Sequence, residues 1–391
     1  MFRQVRFFFV FAFALLFLSA CQMMTPTPVV MEVTREVPVT VEVPKEVEVV
    51  VTATPEAMMA HEPREIFAWA AGGQDTTTVQ AFLPSTLDIR VGDTVTWKLG
   101  SDDFHILALL GDAEMPAVVI PVDAADPTKG AMINPMAGFP SRMPGAPVES
   151  HDGHNFVGSG LLSYEPAAPG APPNDHFSVV FTTPGTYTVH CLFHPWHTAT
   201  VHVHENTYTD APDQAAIDAQ AAVELAAYEA QVEAARQQGS LPVSMPAADG
   251  STIWFVRAGG LNALTGDFRA QAYDFLPKEL TIKAGDTIVW TSTEIHAVTF
   301  DDAPPGPEIV LPQMVEGGPP MLILNPEVFV PMRPSPVYDP AQYFNSADIG
   351  PIGVNGLSWA LTFTEPGTYT YLCGIHHEMG MEGTIVVEPK G

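Results

Sequence analysis

Leu87, Ile89 and Val91 alternate with polar residues, and Leu280 and Ile282 do the same some 190 residues later. A period of two marks a strand with one buried face. In each place a Gly-Asp turn follows and leads into a second alternating stretch that ends at Trp97 or Trp290. Downstream, Pro-Gly turns open Thr-Tyr-Thr strands at 186–188 and 368–370. Short strands at this spacing predict an all-β chain of antiparallel sandwiches. The two regions are copies of one another. Ala-Gly-Gly, Phe-Leu-Pro, Leu-x-Ile, Gly-Asp-Thr and Trp recur in order, each copy then reaches one histidine (His105 or His296), and "FTTPGTYTVHCLFH" later matches "FTEPGTYTYLCGIH". The copies are expected at 63–207 and 249–391.

Between them, at 208–248, the period changes to that of a helix. Ile217, Leu225, Tyr228 and Val232 fall on one face, Asp210 can cap the start, Pro212 suits the first turn, and Gly239 can end it. The expectation is a linker helix of roughly 40 Å that packs against one sandwich. Setting the distance between two redox centres is its sharper possible role. Each copy also carries a Pro/Gly/Met-rich insertion after its first histidine, at about 111–176 and 301–350. Met115, Met132, Met136, Met143, Met314, Met321 and Met332 lie there without tight paired spacing. That pattern suits loop packing or a docking surface better than a relay for Cu(I).

The N-terminus has a different pattern. Arg3 and Arg6 precede an apolar run from Phe7 to Leu18, too short to span a bilayer but suited to a signal peptide over 1–20. Its end, Leu18-Ser19-Ala20-Cys21, resembles the lipobox of bacterial lipoproteins. That resemblance implies that Cys21 is lipidated and anchors an exported chain to the cell membrane, facing the periplasm or cell exterior. Residues 21–62 are a low-complexity Val/Glu/Thr/Pro stalk. Composition narrows the function. A net charge of −29 repels phosphate backbones and argues against nucleic acid as a partner, while a protein partner would need a basic docking face.

Only three cysteines are present. Beyond Cys21, Cys191 and Cys373 occupy the same place in separate copies, so a bridge between them is not expected. Around Cys373 stand His376 and Met381, and His296 lies on an upstream strand. Two imidazoles, a thiolate and a thioether form the donor set of a blue-copper site, and thioether suits copper far better than zinc. A cysteine at a strand end, a histidine at plus three and a methionine at plus eight lie around one tight loop and can converge on one ion. A buried apolar cysteine is the plain alternative, but it leaves the paired histidines unexplained.

Tyr369, Tyr371, Cys373, His376, Met381 and Gly383, with a final strand beyond, resemble the cupredoxins, the family of plastocyanin, azurin and auracyanin. The resemblance implies two tandem Greek-key β-sandwich domains joined by the helical linker, with copper cycling between Cu(I) and Cu(II). It selects His376 over His377, which becomes a surface group, and Met381 over Met379. In the first copy it implies His105, Cys191 and His194 as ligands. There "CLFHPWH" places His197 where Met381 stands, since Ala199-Thr200-Val201 aligns with Gly383-Thr384-Ile385. His197 is then a nitrogen axial ligand to a second, atypical copper, or swings away to leave three ligands, or marks an empty site.

His190 sits beside Cys191, where multicopper oxidases and nitrite reductases carry a ligand to a second copper type. The further histidines those enzymes need are missing around "DDFHILALL" and "TEIHAVTF". His202 and His204 share one face of the last strand and are expected to face solvent. The reading that results is not an enzyme but a membrane-anchored, type 1 copper electron-transfer protein. His376 would offer the exposed edge. Its partners would be redox proteins such as cytochromes or membrane electron-transfer complexes. The alternatives are a two-domain multicopper enzyme and a copper-storage or delivery lipoprotein.

Overall fold

A computed structural model describes residues 61–126, 129–142, 146–164, 172–259, 267–300, 308–350 and 356–391. The signal peptide, Cys21, nearly all of the stalk and Met143 lie outside them. In the first copy, strands Glu65–Trp69, Thr94–Lys98, His176–Phe181 and Glu149–His151 form one sheet, in spatial order first, second, third, fourth. Thr86–Arg90, Thr198–His204, Gly185–Cys191, His105–Leu109 and Val157–Leu162 form the other. The second copy repeats the plan. Val243–Pro246, Thr252–Ala258, Thr287–Thr291 and Ser358–Thr362 make one sheet, and Glu279–Lys283, Glu382–Glu388, Gly367–Leu372, Thr299–Phe300 and Phe344–Asn345 the other.

Each sandwich is mixed rather than purely antiparallel. Glu65–Trp69 runs parallel to Thr94–Lys98, and Thr86–Arg90 parallel to Thr198–His204. The second copy has the same two parallel pairings. Alternation fixes which face of a strand is buried and says nothing of its neighbour's direction. The alternating residues do face inward: Leu87, Ile89, Leu280 and Ile282 are all buried. Trp97 is fully buried among Phe82, Phe177 and Phe181, and Trp290 among Phe300, Trp359, Phe363 and Tyr371.

The helix spans Gln214–Gly239, about 39 Å over its 26 residues. Its cap is Asp213, whose carboxylate accepts from the Ala216 N–H at 2.9 Å, so the expected cap at Asp210 is displaced by three residues and Pro212 precedes the cap. It packs on both copies, not one. Ile217 enters the core of the first, and Ala221 meets Val79, Ala81 and Leu83. Val232 and Ala235 pack on Ala270, Ala272 and Leu276 of the second. Near its C-terminus Arg236 donates to Asp274 at 2.6 Å and to Thr76 and Thr77 at 2.8 Å, tying residues of both copies together. Arg236→Ala leaves Asp274 largely buried without its cation. It is expected to lower stability by about 1–3 kcal/mol, measured as a reduced urea midpoint. A midpoint within error of the parent would refute this role.

The copies also join through backbone. Thr77–Val79 pairs antiparallel with Ala270–Ala272, with Thr78 opposite Gln271. These are equivalent segments, each leading into Phe-Leu-Pro, so they meet about a local pseudo-twofold axis. The insertions are paired as well. Val119–Pro121, Ala131–Ile133, Met321–Leu324 and Val310–Gln313 form a four-stranded sheet in which Met132 faces Ile323. In each insertion an Asn-Pro step then opens a single helical turn, capped by Asn134 or Asn325. Met132 and Met321 thus lie in strands rather than in free loops, whereas Met136, Met314 and Met332 are exposed.

Candidate metal centres

Cys373 follows strand Gly367–Leu372, and its N–H donates to the Met381 carbonyl at 2.9 Å, closing the loop that carries His376. His296 comes from the segment just before strand Thr299–Phe300. The Cys373 Sγ lies 3.7 Å from His376 Nδ1 and 3.9 Å from His296 Nδ1, and the two Nδ1 atoms are 3.0 Å apart. Met381 is fully buried on the same loop. The Ala297 N–H points at the sulfur from 3.3 Å. All three His/Cys residues are buried.

The first copy repeats this. The Cys191 Sγ lies 3.5 Å from His194 Nδ1 and 3.7 Å from His105 Nδ1. The Cys191 N–H donates to the His197 carbonyl at 2.9 Å, the bond that Cys373 makes with Met381. His197 therefore occupies the Met381 position in backbone terms. It is buried, turned inward against His105 with ring centroids 5.0 Å apart, and neither ring nitrogen has a hydrogen-bond partner. His105, Cys191, His194 and His197 offer donor atoms all within 4.8 Å of one another.

These separations suit one shared ion. A sulfur about 2.3 Å and a nitrogen about 2.0 Å from one metal, at tetrahedral to trigonal angles, stand about 3.5–3.7 Å apart, and two nitrogens stand closer, about 3.3–3.5 Å. The electrostatics agree. Burial pushes each thiol up, but the flanking imidazoles outweigh it and hold Cys191 and Cys373 well below the usual range, toward the thiolate a metal requires. Burial also pulls His296 down, yet the Cys373 sulfur and Glu294 raise it to about 9, so without an ion it holds a proton that a bound metal would displace. His197 is carried down to about 4 by burial, which keeps a neutral imidazole available as a donor. Soft sulfur and imidazole nitrogen in a buried setting fit copper.

The family comparison now bears on this geometry. Residues 264–388 match the family described as "Copper binding proteins, plastocyanin/azurin family". That stretch of the chain matches a copper-binding family. Similar solved structures include an oxidized plastocyanin from Dryopteris crassirhizoma, 20% identical, covering 34% of this chain and 99% of its own, with a TM-score of 0.19. Another is a purple cupredoxin from Nitrosopumilus maritimus, 20% identical, covering 36% of this chain and 99% of its own, with a TM-score of 0.18. Within the matched segment lie His296, Cys373, His376 and Met381.

Two expectations about histidines need correction. His376 is only 7% exposed, so it offers no open edge; the Tyr273 ring of its own copy stacks on it. His377 is buried as well, because residues 377–379 wind into a 3-10 turn that folds it inward. His202 and His204 lie on the outward face of the last strand, alternating with buried Val201 and Val203, and His204 pairs with Asp88 at 2.7 Å and stacks on Tyr208. His190 is half-buried beside Cys191, and the two donor sets are the only His/Cys/Asp/Glu clusters of metal-holding geometry found among the described residues. Sequence reasoning missed Gln80, Asp103, Tyr273 and Glu294 around the sites. The repeat held a signal for them. Asp103 and Glu294 each precede the upstream histidine by two residues, and Gln80 and Tyr273 each stand two residues before Phe-Leu-Pro.

Proposed function

We propose that this protein is an exported, lipid-anchored blue-copper electron carrier with two centres. The observation that carries the reading is the convergence of a buried cysteine and two buried imidazole Nδ1 atoms in each copy. Bound copper would supply a one-electron Cu(I)/Cu(II) couple. The chain supplies the rest. His296 is fixed by its own backbone N–H, which bonds to Asp348, and Cys373 by its bond to Met381, so the donors are held before a metal arrives. Both sets lie mostly out of solvent. Type 1 character in the second copy rests on Met381 as a weak thioether donor. In the first copy His197 supplies nitrogen instead, which favours Cu(II). Cys21 as the anchor and residues 21–62 as a stalk are supported by the sequence pattern. The acidic surface favours a redox partner with a basic face, of the kind cytochromes or membrane electron-transfer complexes present.

The test is a visible and EPR spectrum of the copper-loaded protein with copper counted per chain. Two thiolate-copper signals support a two-centre carrier. A signal without thiolate character beside a blue one would favour a multicopper enzyme. Absence of any thiolate-copper band would overturn the reading. His197→Met makes the first donor set resemble the second. Its absorption band is expected to move toward that of the second site, with a higher reduction potential. An unmoved band would show that His197 is not a ligand.

A further inference from the structure

Three residues between the donor sets, Asp103, Gln80 and Tyr273, serve neither set alone. Asp103, two residues before His105, is buried, and its Oδ2 accepts from Tyr273 Oη of the other copy at 2.7 Å and from Gln80 Nε2 at 3.2 Å. The same oxygen lies 4.0 Å from His194 Nε2. Gln80 Nε2 also lies 3.1 Å from His194 Nε2 and 2.7 Å from Tyr273 Oη, and Gln80 Oε1 accepts from Trp196 Nε1 at 2.9 Å. The Tyr273 ring stacks on His376, with centroids 4.0 Å apart and planes 17° from parallel. An unbroken line of contacts thus runs from His194 through Asp103 and Gln80 to Tyr273 and His376.

The pseudo-twofold axis explains how it arose. Gln80 and Tyr273 are equivalent positions, as are Asp103 and Glu294. The equivalence is broken in use. Glu294 turns to its own copy, with Oε2 3.7 Å from His296 Nε2, whereas Asp103 reaches across the interface. Between the two edges lies a cavity of about 40 Å³ lined by Gln80, His194, Tyr273, Glu294, His296 and His376 among others.

We infer that Asp103, with Gln80 and Tyr273, is a shared positioning cluster that couples the two donor sets, so that a change at either is felt at the other. The inference rests on the copper reading above. A carboxylate in a low-dielectric interior acts over several ångströms. It faces the back of His194 directly. Through the Tyr273 hydroxyl it also fixes the ring that lies over His376. Outer partners of ligating imidazoles set ring orientation and basicity, and their loss costs roughly 10–100-fold in metal affinity. Here one residue would exert that effect on two sites.

The test reads each substitution at the opposite set, in the full-length, copper-loaded chain. Asp103→Asn is placed in a Cys191→Ser background, so that only the second set reports. Tyr273→Phe, which keeps the ring, is placed in a Cys373→Ser background, so that only the first set reports. Band position and EPR are recorded, and Cu(I) affinity is measured by competition with a chelator. Asp103→Asn is expected to shift the band of the second site and weaken its affinity roughly tenfold. Tyr273→Phe is expected to shift the band of the first. If both opposite sets keep their bands and affinities, the cluster is only structural and the inference fails. If Asp103→Asn does not fold, the Tyr273→Phe arm decides alone. If the parent chain shows no thiolate-copper band, it is the copper reading that has failed.

Discussion

Replacing Cys373 with serine is expected to abolish the thiolate-copper absorption of the second site completely and to halve the copper bound per chain. The sulfur is the one soft anionic donor in a set otherwise made of neutral groups, His296, His376 and Met381. A serine hydroxyl stays protonated at neutral pH and binds copper poorly. The change removes one atom's worth of softness and little volume. Cys373 is fully buried in the core that includes Ile375, Met379 and Met381, and serine fits the same space. Fold and first site should therefore persist, and the remaining band should belong to Cys191 alone. Visible spectra before and after copper addition, with metal analysis, decide the matter. A second-site band surviving in Cys373→Ser would show that the sulfur is not a ligand and would remove the basis for the proposed function. The reciprocal Cys191→Ser should leave the band of the second site in place, moved only as far as the interdomain cluster transmits the change.

Much of this was legible in the sequence because it is local. Cys373, His376 and Met381 lie in one loop, so their convergence follows from spacing, and the repeat then picks out His105 and His296 as equivalent. Strand positions followed from alternation at Leu87–Val91 and Leu280–Ile282. What could not be read depends on contacts between the copies. The exposed edge expected of His376 fails because Tyr273, distant in the chain but in the same copy, lies flat on the imidazole. The other copy holds Tyr273 in place through Asp103 and Gln80 at its hydroxyl and the Thr76 carbonyl at its N–H, next to the pairing of Thr77–Val79 with Ala270–Ala272, strands of three residues whose edge backbone has no partner-specific pattern. The helix illustrates the same limit. Its apolar face predicted burial, but Ile217 at one end and Val232 at the other meet different sandwiches, a choice that depends on where each lies in space. The insertion strands escaped notice because Pro121 and Pro312 sit inside them and argue against strand.

Trp290→Ala should have the largest effect on stability of any single core change in the second sandwich. The indole is fully buried, with ring centroids 5.4 Å from Tyr371, 5.6 Å from Trp359, 5.9 Å from Phe300 and 6.4 Å from Phe363. It joins both sheets, since Trp290 and Trp359 belong to one and Phe300 and Tyr371 to the other. Truncation opens a cavity that four rigid rings cannot close by small rotations. The expected cost is about 3–5 kcal/mol, and Trp290→Phe should recover a good part of it. The damage falls behind the metal site rather than in it, because the rings Trp290 touches, Tyr371 among them, are not donors. At low temperature the second thiolate-copper band should therefore be unchanged. On heating it should disappear before the band of the first site, reversing or widening whatever order the parent shows. A Trp290→Ala protein that melts with the parent would mean that the sandwich tolerates the cavity. One that loses its second band while still folded would place Trp290 among the residues that shape the donor set.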